Sequence, residues 1–296
     1  MTQRVLRIMV AVLFVLSFWP TAAAQTEEEY LDAYIVHIKP DKRATFDAIS
    51  KKMAEANRGN NGDAWLALET VYGPADTVSF ISRRSSYADI EKGMGAFMGA
   101  LSKAYGEQGV QKMFGEFASC VSSSSGELRR RRYDLSSNAP KDAAGMAELL
   151  GKTRYLRTTM VRVKPGRVLD FEALVKEVKA AREKSSPSEV QLVSQTVAGQ
   201  EGTVFYVTAF RPNMAGFDSV SSIQKLLGDE AYQKWLKANA EIVDTTRVTI
   251  SRFLPELSNA PKEVVAAAPD FWSPKPVVAK KAAKGSVTPA AEKQKK

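Results

Sequence analysis

His37 is the only histidine among 296 residues, and Cys120 is the only cysteine. A lone imidazole can act as a base near neutral pH or contact a polar or anionic ligand. It cannot build a histidine-rich metal site or share acid–base work with a second histidine. A lone cysteine forms no intramolecular disulfide, and Cys120 reads as a small buried hydrophobe. The run Arg129-Arg130-Arg131-Arg132 is the densest charge in the chain. On a strand, two of the four face each way, and a pair could clamp a carboxylate or phosphate. The plainer role is a charged edge strand, or pairing with the Glu27-Glu28-Glu29 run. Trp65, Tyr72 and Tyr206 could stack a flat organic molecule, although aromatics on strands are more often core. No glycine-rich phosphate loop, GxSxG, HExxH or CxxC is present, which disfavours a hydrolase or metalloenzyme.

The elements that must position these residues occur twice. Tyr30-Leu31 returns as Tyr155-Leu156, Lys39-Pro40 as Lys164-Pro165, and Phe46-Asp47-Ala48 as Phe171-Glu172-Ala173. Thr70-Val71 and Gly73 return as Thr196-Val197 and Gly199. Gly106 with Gln111-Lys112 returns as Gly228 with Gln233-Lys234. Ser137-Asn138-Ala139-Pro140 closes the first copy and Ser258-Asn259-Ala260-Pro261 the second. Matches in one order mean a duplicated domain. His37 then has Arg162 as its counterpart, Cys120 has Ile242, and Arg131 has Arg252.

In the first copy, residues 30–39 read as a strand stopped by Pro40. A helix follows with Phe46, Ile49, Met53 and Ala56 at helical steps, capped by Asp41. Strands are expected at 65–72 and 77–83, and a helical region with a glycine break runs through Tyr87, Phe97, Met113 and Cys120. Met94, Met98 and Met113 read as adaptable core rather than thioether ligands. A last strand is expected over 128–133. The second copy gives strand 155–164, helix 167–184, strands 189–198 and 203–210, helices 216–227 and 229–243, and strand 246–254. The order βαββαβ is the ferredoxin-like arrangement. Val36 and Ile38, like Val161 and Val163, should pack on the helices. The third strand of each copy is also apolar on its other side, and such a face must be covered. The fold class is therefore α+β: two tandem ferredoxin-like repeats whose antiparallel sheets pack into one intrachain barrel with a semi-polar lumen.

Val163-Lys164-Pro165-Gly166-Arg167 with Phe171-Glu172, and Ile38-Lys39-Pro40-Asp41-Lys42 with Phe46-Asp47, resemble the first strand and helix of the dimeric α+β barrel superfamily. That superfamily includes antibiotic-biosynthesis-type monooxygenases, NIPSNAP-like proteins and haem-handling barrels. The resemblance spans both repeats and implies a fold more than an activity. Tandem haem barrels of this kind carry their histidine elsewhere, usually on a helix, and His37 departs from that pattern. No cofactor is expected.

Arg4 and Arg7 precede an apolar run from Ile8 to Trp19, and Ala22-Ala23-Ala24 supplies a cleavage site before Gln25. This reads as a signal peptide over 1–24, with export to the periplasm or beyond. The net charge is +9. Eight lysines against three acids after Pro261, and the two arginines at the start, account for most of it, leaving about +2 on the globular part. The domains are thus 25–140, a connector 141–154, 155–261, and a disordered Lys/Ala/Pro-rich tail over 262–296. The tail could touch an anionic envelope surface, and nucleic acid is not an expected partner. The chain should be a monomer with a pseudo-two-fold axis or a higher homo-oligomer. The leading function is binding of a flat or anionic organic molecule in the lumen through His37, Arg162, Arg131 and Arg252, with Trp65 and Tyr206 as walls. The alternatives are a cofactor-independent monooxygenase with His37 as base, and a structural or assembly protein.

Overall fold

The computed structural model describes residues 28–186 and 188–273; the signal segment and the end of the tail lie outside them. The elements run β1 (Tyr30–Ile38), α1 (Arg43–Gly59), β2 (Leu66–Tyr72), β3 (Thr77–Arg84), α2 (Tyr87–Cys120), β4 (Val121–Arg131) and α3 (Ala143–Lys152). The second copy follows as β5 (Tyr155–Val163), α4 (Val168–Ser185), β6 (Gln191–Ala198), β7 (Thr203–Arg211), α5 (Ile223–Leu227), α6 (Asp229–Ile242) and β8 (Val243–Phe253). Two short helices come last, α7 (Lys262–Ala267) and α8 (Pro269–Trp272).

The eight strands close in the order β1-β3-β2-β8-β5-β7-β6-β4. Every neighbouring pair is antiparallel. The repeats meet at two seams, β2 on β8 through Leu68↔Phe253 and β4 on β6 through Arg131↔Ser194. Closure gives each strand a partner on both sides, which removes exposed sheet edges. The outer face of each half is covered by its own helices. Phe46 lies 5.1 Å from Phe117 above Val36, Ile38 and Val78. Phe171 lies 4.8 Å from Phe205 above Val161 and Val163. The repeated phenylalanine is thus the first buried anchor of the first helix in both copies.

Local signals set several boundaries. Pro40 opens a one-turn 3-10 helix (Pro40–Lys42) that delays α1 to Arg43, so Asp41 does not cap it. Ser86 caps α2 by accepting from Asp89 N. Gly106 breaks that helix at φ 66°, ψ 168°. Gly228 repeats the break at φ 79°, ψ 165° between α5 and α6. This region of backbone space is essentially closed to residues with a Cβ, which is why the glycine occurs in both copies.

Three boundaries differ from the sequence expectation. β4 begins at Val121 and β8 at Val243, several residues early, because pairing with β1 and β5 supplies backbone hydrogen bonds that weak strand formers such as Ser122–Ser125 accept in context. The helix expected over 216–227 reduces to a 3-10 turn (Met214–Phe217) and the short α5. Residues 262–273, expected as part of the disordered tail, form α7 and α8: Val264, Phe271 and Trp272 pack with Phe253, Leu66 and Leu68, burying apolar surface. Trp272 meets Phe253 edge-on at 5.2 Å, and its indole N–H donates to Gly151 O. A side chain at Gly151 would collide with Ala267, so α3 can approach α7 only through glycine. The connector and the start of the tail together close one end of the barrel.

The duplicated Ser-Asn-Ala-Pro motif is a crossed clasp. In the first copy, Ser137 exchanges backbone hydrogen bonds with Gln191 at 2.8 and 3.0 Å, and Asn138 donates to Ser186 O and Glu189 O, all in the second repeat. In the second copy, Asn259 O accepts from Trp65 N at 2.9 Å and Asn259 Nδ2 donates to Asp63 O. Ser258 Oγ accepts from Ala67 N at 2.8 Å. Each repeat ends by binding the β2 or β6 region of the other.

Candidate functional site

Alternation fixes which side chains meet the helices and which meet the lumen. Arg84 belongs to the same face of β3 as Val78 and Phe80, and so points under α2. Its Nη1 and Nη2 donate to the two carboxylate oxygens of Asp63 at 2.7 and 2.6 Å, a bidentate pair. Its Nε lies 3.6 Å from Asp32 Oδ2, too far for a hydrogen bond, and finds no other acceptor among the described residues. Asp63 hydrogen bonds raise the Arg84 pKa, burial opposes them, and the charges of Asp63, Asp32 and Asp89 add to the rise.

This arginine is held from two sides. On α2, Gly93 leaves room for the guanidinium: a Cβ there would lie 2.3 Å from Nη1. In the last turns of α1, Asn57 is fully buried; its Oδ1 accepts from Asp63 N in the following loop at 3.1 Å, while its Nδ2 donates to Met53 O. Gly62 must be glycine because a side chain would overlap Asn57. The loop therefore delivers Asp63 to Arg84 in one place.

Above this polar cluster opens a cavity of about 620 Å³ between the first sheet and its helices. Its floor is Tyr34 and Phe80; Trp65, Phe97, Phe114 and Phe117 form the walls. Asp32, Asp63 and Arg84 are the charged groups that line it. Ser50 Oγ also lines it, buried and without a hydrogen-bond partner among the described residues. The long first half of α2 brings Met94 and Phe97 over the sheet. In the second repeat the corresponding helix shrinks to α5, and a buried Arg182 pairs with Glu189 at 2.5 Å. A second, polar cleft of about 410 Å³ lies beside Glu29 and Arg83, which pair with each other at 2.8 Å.

Of the ligand-binding residues proposed from sequence, Trp65 lines the larger cavity, and its indole N–H is spent on Leu257 O. His37 lies on the lumen face, with Nδ1 2.9 Å from Thr77 Oγ1. Arg162 shares that face in the second repeat, with Glu201 at 4.0 Å. Tyr206 points into the lumen, donates to Glu127 at 2.7 Å and lies under the Arg129 guanidinium, 3.6 Å from ring centroid to Cζ. Burial pushes its hydroxyl up to about 12; Arg129 opposes that and Glu127 adds to it.

Arg131 and Arg252 do not form a clamp. Tyr30 pairs with Arg130 and Tyr155 with Arg252, so the structural counterpart of Arg252 is Arg130. A one-residue slip in a strand reverses the face. Arg131 therefore faces inward, buried on Glu29, while Arg252 faces outward and pairs with Glu69, which Arg43 also holds. At the end closed by α3, α7 and α8 the lumen is packed by Leu66, Leu68, Leu156, Leu192, Phe210 and Phe253. The cavity of about 620 Å³ lies on the other side of the first sheet, between the strands and their helices.

The charged residues of the cavity, Asp32, Asp63 and Arg84, were not singled out in the sequence. Their signal was the parity of β3: Arg84 continues the buried series Val78, Phe80, Ser82, and a charge on a buried face demands a partner.

No protein-family model matches this chain, and no curated protein does. Solved structures resemble it in overall shape. An anthrone oxidase-like protein aligns with TM-score 0.49 and 11% identity over 78% of this chain and 92% of its own. A provisionally assigned monooxygenase from Lactobacillus acidophilus NCFM gives 0.47 and 9% over 79% and 98%. Chlorite dismutase from Candidatus Nitrospira defluvii, in complex with imidazole, gives 0.42 and 10% over 77% and 92%.

Proposed function

We propose that the first repeat binds a small, flat organic molecule in the cavity between its sheet and its helices. The observation that carries this reading is the cavity of about 620 Å³ itself, walled by the rings of Tyr34, Trp65, Phe80, Phe97, Phe114 and Phe117 with Asp32, Asp63 and Arg84 at its polar end. Its volume falls within the range of small-molecule sites. The test is a thermal-shift and Trp65 fluorescence screen of the full chain against bicyclic aromatics. Ser82→Phe, which fills the floor of the cavity, is expected to abolish every hit. Hits that survive Ser82→Phe would place binding elsewhere.

A second reading is cofactor-independent oxygenation of a hydroxylated aromatic, as the names of two structural neighbours suggest. What favours it is Asp32, a carboxylate with free lone pairs beside an apolar chamber, positioned to take a hydroxyl proton. Oxygen uptake would then be lost in Asp32→Asn and unchanged in His37→Ala, since His37 lies on the other face of the sheet. Uptake lost in His37→Ala and kept in Asp32→Asn would reject this assignment. Kinship with the antibiotic-biosynthesis-type monooxygenases and NIPSNAP-like proteins belongs to the same reading. So does export through residues 1–24: protein recovered from the periplasm is expected to begin at Gln25.

A further inference from the structure

The charge at the polar end of the cavity does not balance. Among the described residues Arg84 is the one cation lining it, and both terminal nitrogens of its guanidinium are committed to Asp63. Asp63 in turn spends both carboxylate oxygens on Arg84. Asp32 is left over: its nearest charged partner is Arg84 Nε at 3.6 Å, and its side chain is 37% exposed. Asp89, at the start of α2, adds a third carboxylate whose field reaches the same arginine. Asp32 and Asp63 thus flank one arginine. An anionic ligand would find its only cation already paired and a free carboxylate beside it.

The other walls favour the same sign. The rings of Tyr34, Trp65, Phe80, Phe97, Phe114 and Phe117 line the chamber. Aromatic faces carry negative potential and attract cations, more strongly where water is excluded. A carboxylate at the rim of an aromatic box is the chemistry that recognises an ammonium or a protonated nitrogen heterocycle. Resting on the cavity reading above, we infer that the natural ligand of this site is a cationic aromatic molecule, its positive nitrogen set against Asp32 and its ring system among the aromatic walls. Arg84 then acts to hold Asp63 and shape the floor.

The experiment uses calorimetric titration of the full chain at neutral pH with three probes of matched size: naphthylethylamine, naphthylethanol and naphthylacetate. The amine is expected to bind about tenfold more tightly than the alcohol, and the acetate more weakly than either. Asp32→Asn should erase the advantage of the amine and leave the affinity for the alcohol unchanged. Raising the salt from about 20 to about 500 mM should shrink the same advantage, since Asp32 is partly exposed. Equal affinities for amine and alcohol, or an advantage that survives Asp32→Asn, would overturn the charge assignment while leaving the cavity reading intact. If none of the three probes binds, the cavity reading itself fails, and the charge assignment with it.

Discussion

Arg84 rests against Gly93 with no space between them, so the cluster can be probed without touching a ligand contact. Gly93→Ala forces the guanidinium off Asp63 and should cost about 1–3 kcal/mol of stability, as overpacking of a filled site does. Probe affinity should fall with it. A melting temperature and an affinity both unchanged would mean that Arg84 is free to move and does not shape the floor. At this scale the sequence was least legible. Arg131 and Arg252 were paired by counting along the chain, yet the strand register aligns Arg252 with Arg130, and a single-residue slip reversed the face of one guanidinium. His37 and Arg162 were correctly matched as counterparts on one face. Nothing local to either residue reports on what packs beneath that face.

Helices and turns were more legible, because their punctuation is chemical. The glycine break was read from Gly106 and Gly228, and both adopt the same left-handed, extended backbone. Gly106→Ala should cost about 1–3 kcal/mol, measured as a shift in the urea midpoint; there is open space around Gly106, so the cost is conformational and not steric. The repeated Ser-Asn-Ala-Pro motif marked where each copy ends. That it binds the opposite copy follows only from barrel closure, which brings the end of one repeat beside the second strand of the other. Ser258→Ala leaves Ala67 N without its acceptor inside the barrel wall and should cost about 1–3 kcal/mol. A loss well below that would show water reaching the seam.

For the molecule as a whole, the pattern of apolar strands on both faces foretold closure of two sheets on each other, and the structure closes them. The closing of one barrel end was not foretold, because residues 262–273 read as part of a Lys/Ala/Pro-rich tail, yet Val264 and Trp272 pack there on Phe253, Leu66 and Leu68. Trp272→Ala should therefore destabilise the entire barrel by about 3–5 kcal/mol, visible as one lowered calorimetric transition. Acid acts on the same scale. Burial raises the Glu29 carboxyl, but Arg131, Arg83 and the Tyr133 hydroxyl outweigh it and hold it below its ordinary value. For Glu69, burial is likewise outweighed by Arg43 and Arg252. Depressed carboxylates stabilise the folded state above their unfolded pKa, and that contribution disappears as pH falls through their folded values. Stability should thus hold near neutrality and decline below about pH 4.5, with Glu29→Gln flattening the decline.

The crossed clasp also bears on how two chains behave when crowded together. Every bond that joins the first half to the second within one chain can be made equally well between the first half of one chain and the second half of another. What favours self-pairing is the covalent link between β4 and β5, which raises the effective concentration of one half at the other. Concentrated refolding should therefore yield interlocked pairs that carry two complete cavities, separable by size and slow to revert on dilution.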